Sequence, residues 1–214
     1  MTVNATNTSA SPGPIHPTSH TPIDDLDLDS AIGVILAGLT GLPENLVIPR
    51  DQPENPTVPD VDVNWISVGV MVSTPDDSPS QVRDPSGDGG TLMHAYWTLD
   101  VLASFYGPKG NALARLVRDT MWIGQNRDAL KAIGLNTVDF DPVRKVPEII
   151  AAGTRRRSDL AFRLTQAIER RYEILNVLQA RGNIRTVEGT ADGGVNANQP
   201  FLSPLPTGST GGGA

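Results

Sequence analysis

Two long stretches of this chain alternate apolar and polar residues with period two, and that alternation limits the possible folds more than any other feature. In residues 92–105, Met93, Ala95, Trp97, Leu99, Val101, Ala103 and Phe105 fall on one side and Leu92, His94, Tyr96, Thr98, Asp100, Leu102 and Ser104 on the other. Successive side chains of a strand point to opposite faces, so the nearly all-apolar first set predicts a strand with one face against a core. In residues 155–178, Leu160, Phe162, Leu164, Gln166, Ile168, Arg170, Tyr172 and Ile174 share one side, and the other side, from Arg157 to Glu173, is almost purely polar. A 3.6-residue period also gathers Leu160, Leu164, Ala167, Ile168, Arg171, Ile174 and Leu175 into a helical stripe, but it leaves Phe162 and Tyr172 outside. The cleaner and longer alternation favours a strand.

The rest of the chain supplies helices and shorter strands. Acids crowd the start of the segment from Ile23 (Asp24, Asp25, Asp27, Asp29), where a helix dipole favours them, and apolar residues then recur at three- and four-residue steps until Gly41 and Pro43. This predicts a first helix over 24–39. A second follows the turn Tyr106-Gly107-Pro108-Lys109-Gly110-Asn111, with Ala112, Leu113, Leu116, Val117, Thr120, Met121 and Ile123 as its apolar stripe, a break near Gly124 and an end at Gly134. Leu46-Val47-Ile48, residues 63–73, 135–140 and 146–150 read as strands, 63–73 as one near the centre of a sheet because both its faces are apolar in the middle. Residues 74–90, with three prolines, four aspartates and three glycines, read as a long hydrophilic loop. Ile184, Thr186 and Val187 form a further alternating piece, expected to pair with the 155–178 strand.

Composition separates this core from its flanks. Gly (21) and Pro (18) are frequent in the 214 residues, and they concentrate in connecting segments. Residues 1–22 are too polar to offset the entropy of ordering and read as a disordered arm; 189–214 read as a flexible glycine-rich tail; 23–188 form one domain. The arm lacks the basic and hydrophobic regions of a secretory signal. No apolar run approaches the roughly 18 residues of a membrane-spanning helix, so a soluble protein with no membrane partner is expected. The absence of cysteine excludes disulfide scaffolds, thiol catalysis and cysteine-ligated metals. The net charge of −7 hides an asymmetry. Residues 1–106 hold 14 acidic and 2 basic side chains, for −12, and residues 107–214 hold 10 and 15, for +5. Such a split fits a nucleic-acid or membrane partner, or a protein whose acidic part docks on the basic part of a neighbour.

Motifs for chemistry are lacking. The sequence has no phosphate loop, dinucleotide fingerprint, Gly-x-Ser-x-Gly elbow or histidine pair at helical spacing, and no catalytic residue, metal or cofactor is expected. His16 and His20 lie in the arm, and His94 reads as a half-buried polar residue of a strand. Asp24, Asp25, Asp27 and Asp29 suit a helix start. Asp76, Asp77, Asp84 and Asp88 do not match a calcium loop and read as solvated, with contact to another subunit as the main rival and a metal-dependent hydrolase as a further one. Arg155, Arg156 and Arg157, with Arg163, Arg170 and Arg171 nearby, are the strongest electrostatic feature. Carboxylates of a partner, solvent and a DNA backbone are the three candidates for what they face, in that order, because no aromatic residues interleave them for stacking on bases. Trp65, Trp97 and Trp122 read as core or interface anchors.

The order of these pieces resembles a known family. The strand ending in Phe105-Tyr106-Gly107-Pro108-Lys109-Gly110-Asn111-Ala112 and running into Leu113-Ala114-Arg115-Leu116-Val117-Arg118-Asp119 is similar to the neck or tail terminator proteins of tailed phages. So are Val146-Pro147-Glu148-Ile149 and the later run from Arg156 to Leu164. The resemblance covers about residues 24–180 and its motifs are structural. It implies an α/β (α+β) fold, a twisted, mostly antiparallel sheet with two helices on one face, assembled as a hexameric ring. It further implies a virion structural protein of the tail and neck, put together in the host cytoplasm, that caps the tail tube and joins it to the connector. Partners would be other copies of itself, the tail tube, with sheath proteins as a further candidate, and neck proteins, with DNA only passing through the lumen. Another neck or tail accessory protein, of adaptor or head-completion type, is the alternative. In a ring, opposite charge on two patches favours head-to-tail contact, and Arg155, Arg156, Arg157 and Arg163 against Asp76, Asp77, Asp84 and Asp88 is the expected pairing.

Overall fold

The computed structural model describes residues 7–19, 22–51, 58–150, 153–176, 181–186 and 197–202. In chain order these form α1 (Asp25–Thr40), a 3-10 turn (Glu44–Leu46), β1 (Val47–Pro49), β2 (Trp65–Pro75), β3 (Ser80–Asp84), β4 (Gly90–Tyr106), α2 (Gly110–Thr120), α3 (Gly124–Ala132), β5 (Leu135–Phe140), β6 (Arg144–Lys145), β7 (Glu148–Ile150), β8 (Gly153–Arg155), β9 (Arg157–Tyr172), β10 (Arg181–Thr186) and β11 (Ala197–Leu202). The fold is α+β.

The two alternating stretches become its spine. β4 and β9 pair antiparallel over their whole length, from Thr91 opposite Tyr172 to Tyr106 opposite Arg157. Residues 157–172 are therefore a strand, and Phe162, which the helical reading left outside, is buried. The main sheet runs β1-β2-β4-β9-β5, with β3 also on β4 and β6 also on β9. All pairs are antiparallel except β1 with β2.

One face of the sheet carries the core. Leu99, Val101, Ala103 and Phe105 of β4 meet Leu160, Phe162 and Leu164 of β9 and Ile66 and Val68 of β2, under Leu28, Ile32 and Leu36 of α1, Val117 of α2 and Leu130 of α3. Each of these buried side chains other than Ala103 contributes about 1.5–3 kcal/mol through removal from water. α1 packs over β1 and β2, α2 over β4 and β9, and α3 over β5.

Several finer expectations are corrected. The second helix is two helices: after Thr120 the chain turns, the Asn126 side-chain amide donates to the Thr120 carbonyl at 2.7 Å, and α3 restarts at Gly124. The buried stripe of α2 is Gly110, Ala114 and Val117, continued by Met121, whereas Ala112, Leu116 and Ile123 are exposed. The small Gly110 and Ala114 face the sheet, which turns Leu116 outward. The hydrophilic stretch 74–90 contains β3, held to β4 by backbone pairing; Val82 is its one apolar residue and is exposed, so it leaves no apolar alternation. β10 pairs with β11, not with β9, because both edges of β9 are already taken by β4 and by β5 and β6.

The N-terminal residues 7–19 form no helix or strand. Their backbone follows the end of β9, where Ser9 and Thr18 N–H donate to the carbonyls of Glu173 and Arg171 at 3.1 and 2.8 Å. Within the expected tail, β11 is described; 187–196 and 203–214 lie outside the described residues.

Candidate subunit interface

The arginine cluster sits where β8 turns into β9, against the turn that launches α2. The Gly107 N–H donates to the Arg156 carbonyl at 3.2 Å, and the Lys109 N–H donates to the Asn64 side-chain oxygen at 2.8 Å, so this turn ties the start of β2, the end of β4 and the start of β9 together. Across the three strands Trp65, Tyr106 and Arg157 lie in register. The two rings stack at 4.0 Å and 6°, and the Arg157 guanidinium stands 5.9 Å from the Tyr106 ring centroid, a cation–π distance. Arg157 also holds Asp159 with two hydrogen bonds of 2.8 and 2.9 Å, which raise its pKa above the ordinary arginine value. Its partners lie in its own chain.

The same holds for other members of the expected set. Arg163 forms a two-pronged ion pair with Asp139 of β5, which the bulge between Thr137 and Asp139 aligns with it; the pairing lowers the Asp139 pKa. Asp84 receives Ser86 N–H and hydroxyl bonds and accepts from Arg171 Nη1 at 2.9 Å, and these bonds, the Ser86 ones first, lower its pKa. Arg155 lies 4.0 Å from Glu148 across the β7–β8 hairpin. His94, in its strand, faces Glu169 at 3.5 Å.

The remaining members face solvent. Arg156, Asp76, Asp77 and Asp88 are exposed and make no ion pair among the described residues. Arg156 lines a groove with Gly107, Pro108, Asn111, Lys145 and Pro147. The Asp76 N–H is anchored to the Tyr96 carbonyl at 2.8 Å, and Asp84 pairs with Gly90 at the far end of β4 from Tyr106. At about 3.3 Å per residue along β4, the acidic positions lie roughly 30 to 50 Å from the arginine end. Arg155, Arg156 and Arg157 thus lie at the opposite end of the β4–β9 ribbon from the acidic positions, Arg163 lies mid-ribbon opposite Asp100, and Arg170 and Arg171 lie at the acidic end.

Sequence reasoning missed two features here. Trp122 is 56% exposed, edge-on to Phe140 at 5.8 Å; of the other tryptophans Trp65 is buried and Trp97 packs on the core. Asp29, placed with the helix-start acids, is buried and accepts from the Val70 N–H at 2.8 Å; burial raises its pKa. Among the described residues no group of three or more His, Asp or Glu is arranged to hold a metal, and no helix is long and apolar enough to cross a membrane.

A family model described as phage neck terminator protein matches residues 26–192, more than three quarters of the chain. No curated protein matches the chain.

Proposed function

The chain belongs to the phage neck terminator family, a structural family of the phage neck, and from that premise we propose that it assembles as a ring of six that caps the tail tube and joins it to the neck. The role is structural, without a catalytic step, and the partners are further copies of the chain, tail proteins on one side and neck proteins on the other. DNA passes through the lumen. The proposal places the protein in the virion after assembly in the host cytoplasm.

The observation that carries the ring is the placement of free charge. A ring needs two different patches on each subunit, and patches of opposite sign suppress contact of like with like. Arg156 at one end of the ribbon and Asp76, Asp77 and Asp88 at the other meet that need, with Arg155 beside Arg156. Arg157 and Asp84 act within the subunit and hold the ends in shape, and Arg163 holds β5 to the middle of β9. The test reverses the exposed charges: Arg156→Glu, or Asp76→Lys with Asp77→Lys, should leave circular dichroism and thermal melting unchanged and weaken assembly in sedimentation velocity. Unchanged assembly would remove these residues from the contact. Wild-type protein that stays monomeric at every concentration and fails to bind tail tubes would remove the ring itself.

A further inference from the structure

The helical layer leaves two exposed apolar strips, one on α1 and one where α2 turns into α3 beside Phe140 of β5, and the charges that rim them are mainly of opposite sign. On α1, which covers β1 and β2, Leu26 and Val34 are 41% and 53% exposed, and Ile23 just before it 41%. Asp24, Asp25 and Asp27 rim this strip, and α1 contains no lysine or arginine. Over β4, β9 and the neighbouring β5, α2 and the turn before α3 expose Leu116, Trp122 and Ile123 at 41%, 56% and 54%. Arg115, Arg118 and Arg127 rim it, all exposed and without an ion pair among the described residues. A helix that packs on a sheet ordinarily turns charge, not tryptophan and isoleucine, to water.

We infer that the α1 strip of one copy docks on the α2–α3 strip of the next, with Trp122 as the anchor, so that this lateral contact closes the ring beside the charges at the ribbon ends. The occupant is a second copy of this chain because acids alone rim the α1 strip while arginines outnumber Asp119 and the Lys131-paired Asp128 around the other, and because two different strips on one subunit meet head to tail. Two acidic α1 strips, or two basic α2 strips, would repel. Buried tryptophan and arginine dominate the energy of contacts of this kind, while the surrounding residues exclude water. The inference rests on the ring reading, and its test separates the two.

The absence of cysteine from the chain makes site-directed cross-linking clean. Ser30→Cys, on α1 between Leu26 and Val34, and Gln125→Cys, at the start of α3 beside Ile123, are both at exposed positions. Each variant is made separately, and the two are mixed and treated with a short bifunctional thiol reagent under assembly conditions. The expected product is a dimer that joins one variant to the other, with no dimer from either variant alone. Same-variant dimers, or rings that form without any cross-linked product, would overturn this contact and leave the ring standing. Trp122→Ser should raise the concentration for half-assembly about tenfold or more. Asp25→Lys with Asp27→Lys should do likewise, and adding Arg118→Asp with Arg127→Asp should restore assembly. Loss without restoration in a variant that melts like wild type would overturn the charge pairing. Failure of every preparation, wild type included, to assemble or bind tail tubes would overturn the ring reading together with this contact.

Discussion

Replacing Gly107 by alanine isolates the turn on which the arginine end of the ribbon depends. Gly107 has φ +94, a conformation that side chains other than hydrogen rarely adopt, and an added Cβ would clash with the Val63 carbonyl oxygen and lie 2.8 Å from the Asn64 side-chain oxygen. The backbone strain alone costs about 1–2 kcal/mol. Moving Asn64 to relieve the contact breaks its bond to the Lys109 N–H, for about 1 kcal/mol more. The sum is about 2–3 kcal/mol. Gly134 supplies the control: its φ is +80 and nothing lies within 4 Å of an added Cβ, so Gly134→Ala bears the strain alone, about 1–2 kcal/mol. Urea unfolding followed by tryptophan fluorescence should place Gly107→Ala about 1 kcal/mol below Gly134→Ala. In thermal melts this corresponds to a further drop of about 2–4 °C. Equal losses in the two variants would refute the claim that this turn is sterically locked to the start of β2.

Other outcomes follow from the core and the carboxylates. Phe162→Ala should cost about 3–5 kcal/mol in urea unfolding, since Phe162 is buried beneath the helical layer; a loss under 1 kcal/mol would contradict the register of β9. Asp139 and Asp84 have lowered pKa values, Asp139 through Arg163 and Asp84 through Ser86 and then Arg171. Their contribution is present above the ordinary carboxylate range, near pH 4, and is lost as pH falls through the lowered values. Asp139→Asn and Asp84→Asn should therefore flatten the acid limb of a stability–pH curve, and an unchanged limb would count against both pairings. Asp29 has the opposite sign: burial raises its pKa, so its charged form weighs against folding and stability falls as pH rises from about 4 through the raised value. Asp29→Asn keeps an oxygen for the Val70 N–H and should remove that fall; a fall retained in the variant would contradict its burial.

What could be read from the residues follows from where apolar side chains go. β4 and β9 were legible because a half-buried strand writes its two faces into alternate positions, and α1 because acids before it and Gly41 after it mark both ends. β3 was not: Ser80 to Asp84 owes its place to backbone bonds with β4, which any polar residue can make. The orientation of α2 depended on Gly110 and Ala114 being small enough to approach the sheet, a matter of shape that hydropathy does not record. The charge split was visible as a sum, but its division into internal pairs and free groups was not. Arg171 meets Asp84 across 87 residues and Arg163 meets Asp139 through a bulge, and neither neighbour can be found by spacing. Trp122 read as a core or interface anchor and is exposed; the helix break that turns it outward is set by Asn126 closing on Thr120, which spacing does not show.

The most direct test of the ring is electron microscopy of the purified protein, alone and mixed with isolated tail tubes. The account predicts particles with six-fold symmetry that seat on one end of the tube. Fields of monomers beside tubes with bare ends would contradict it.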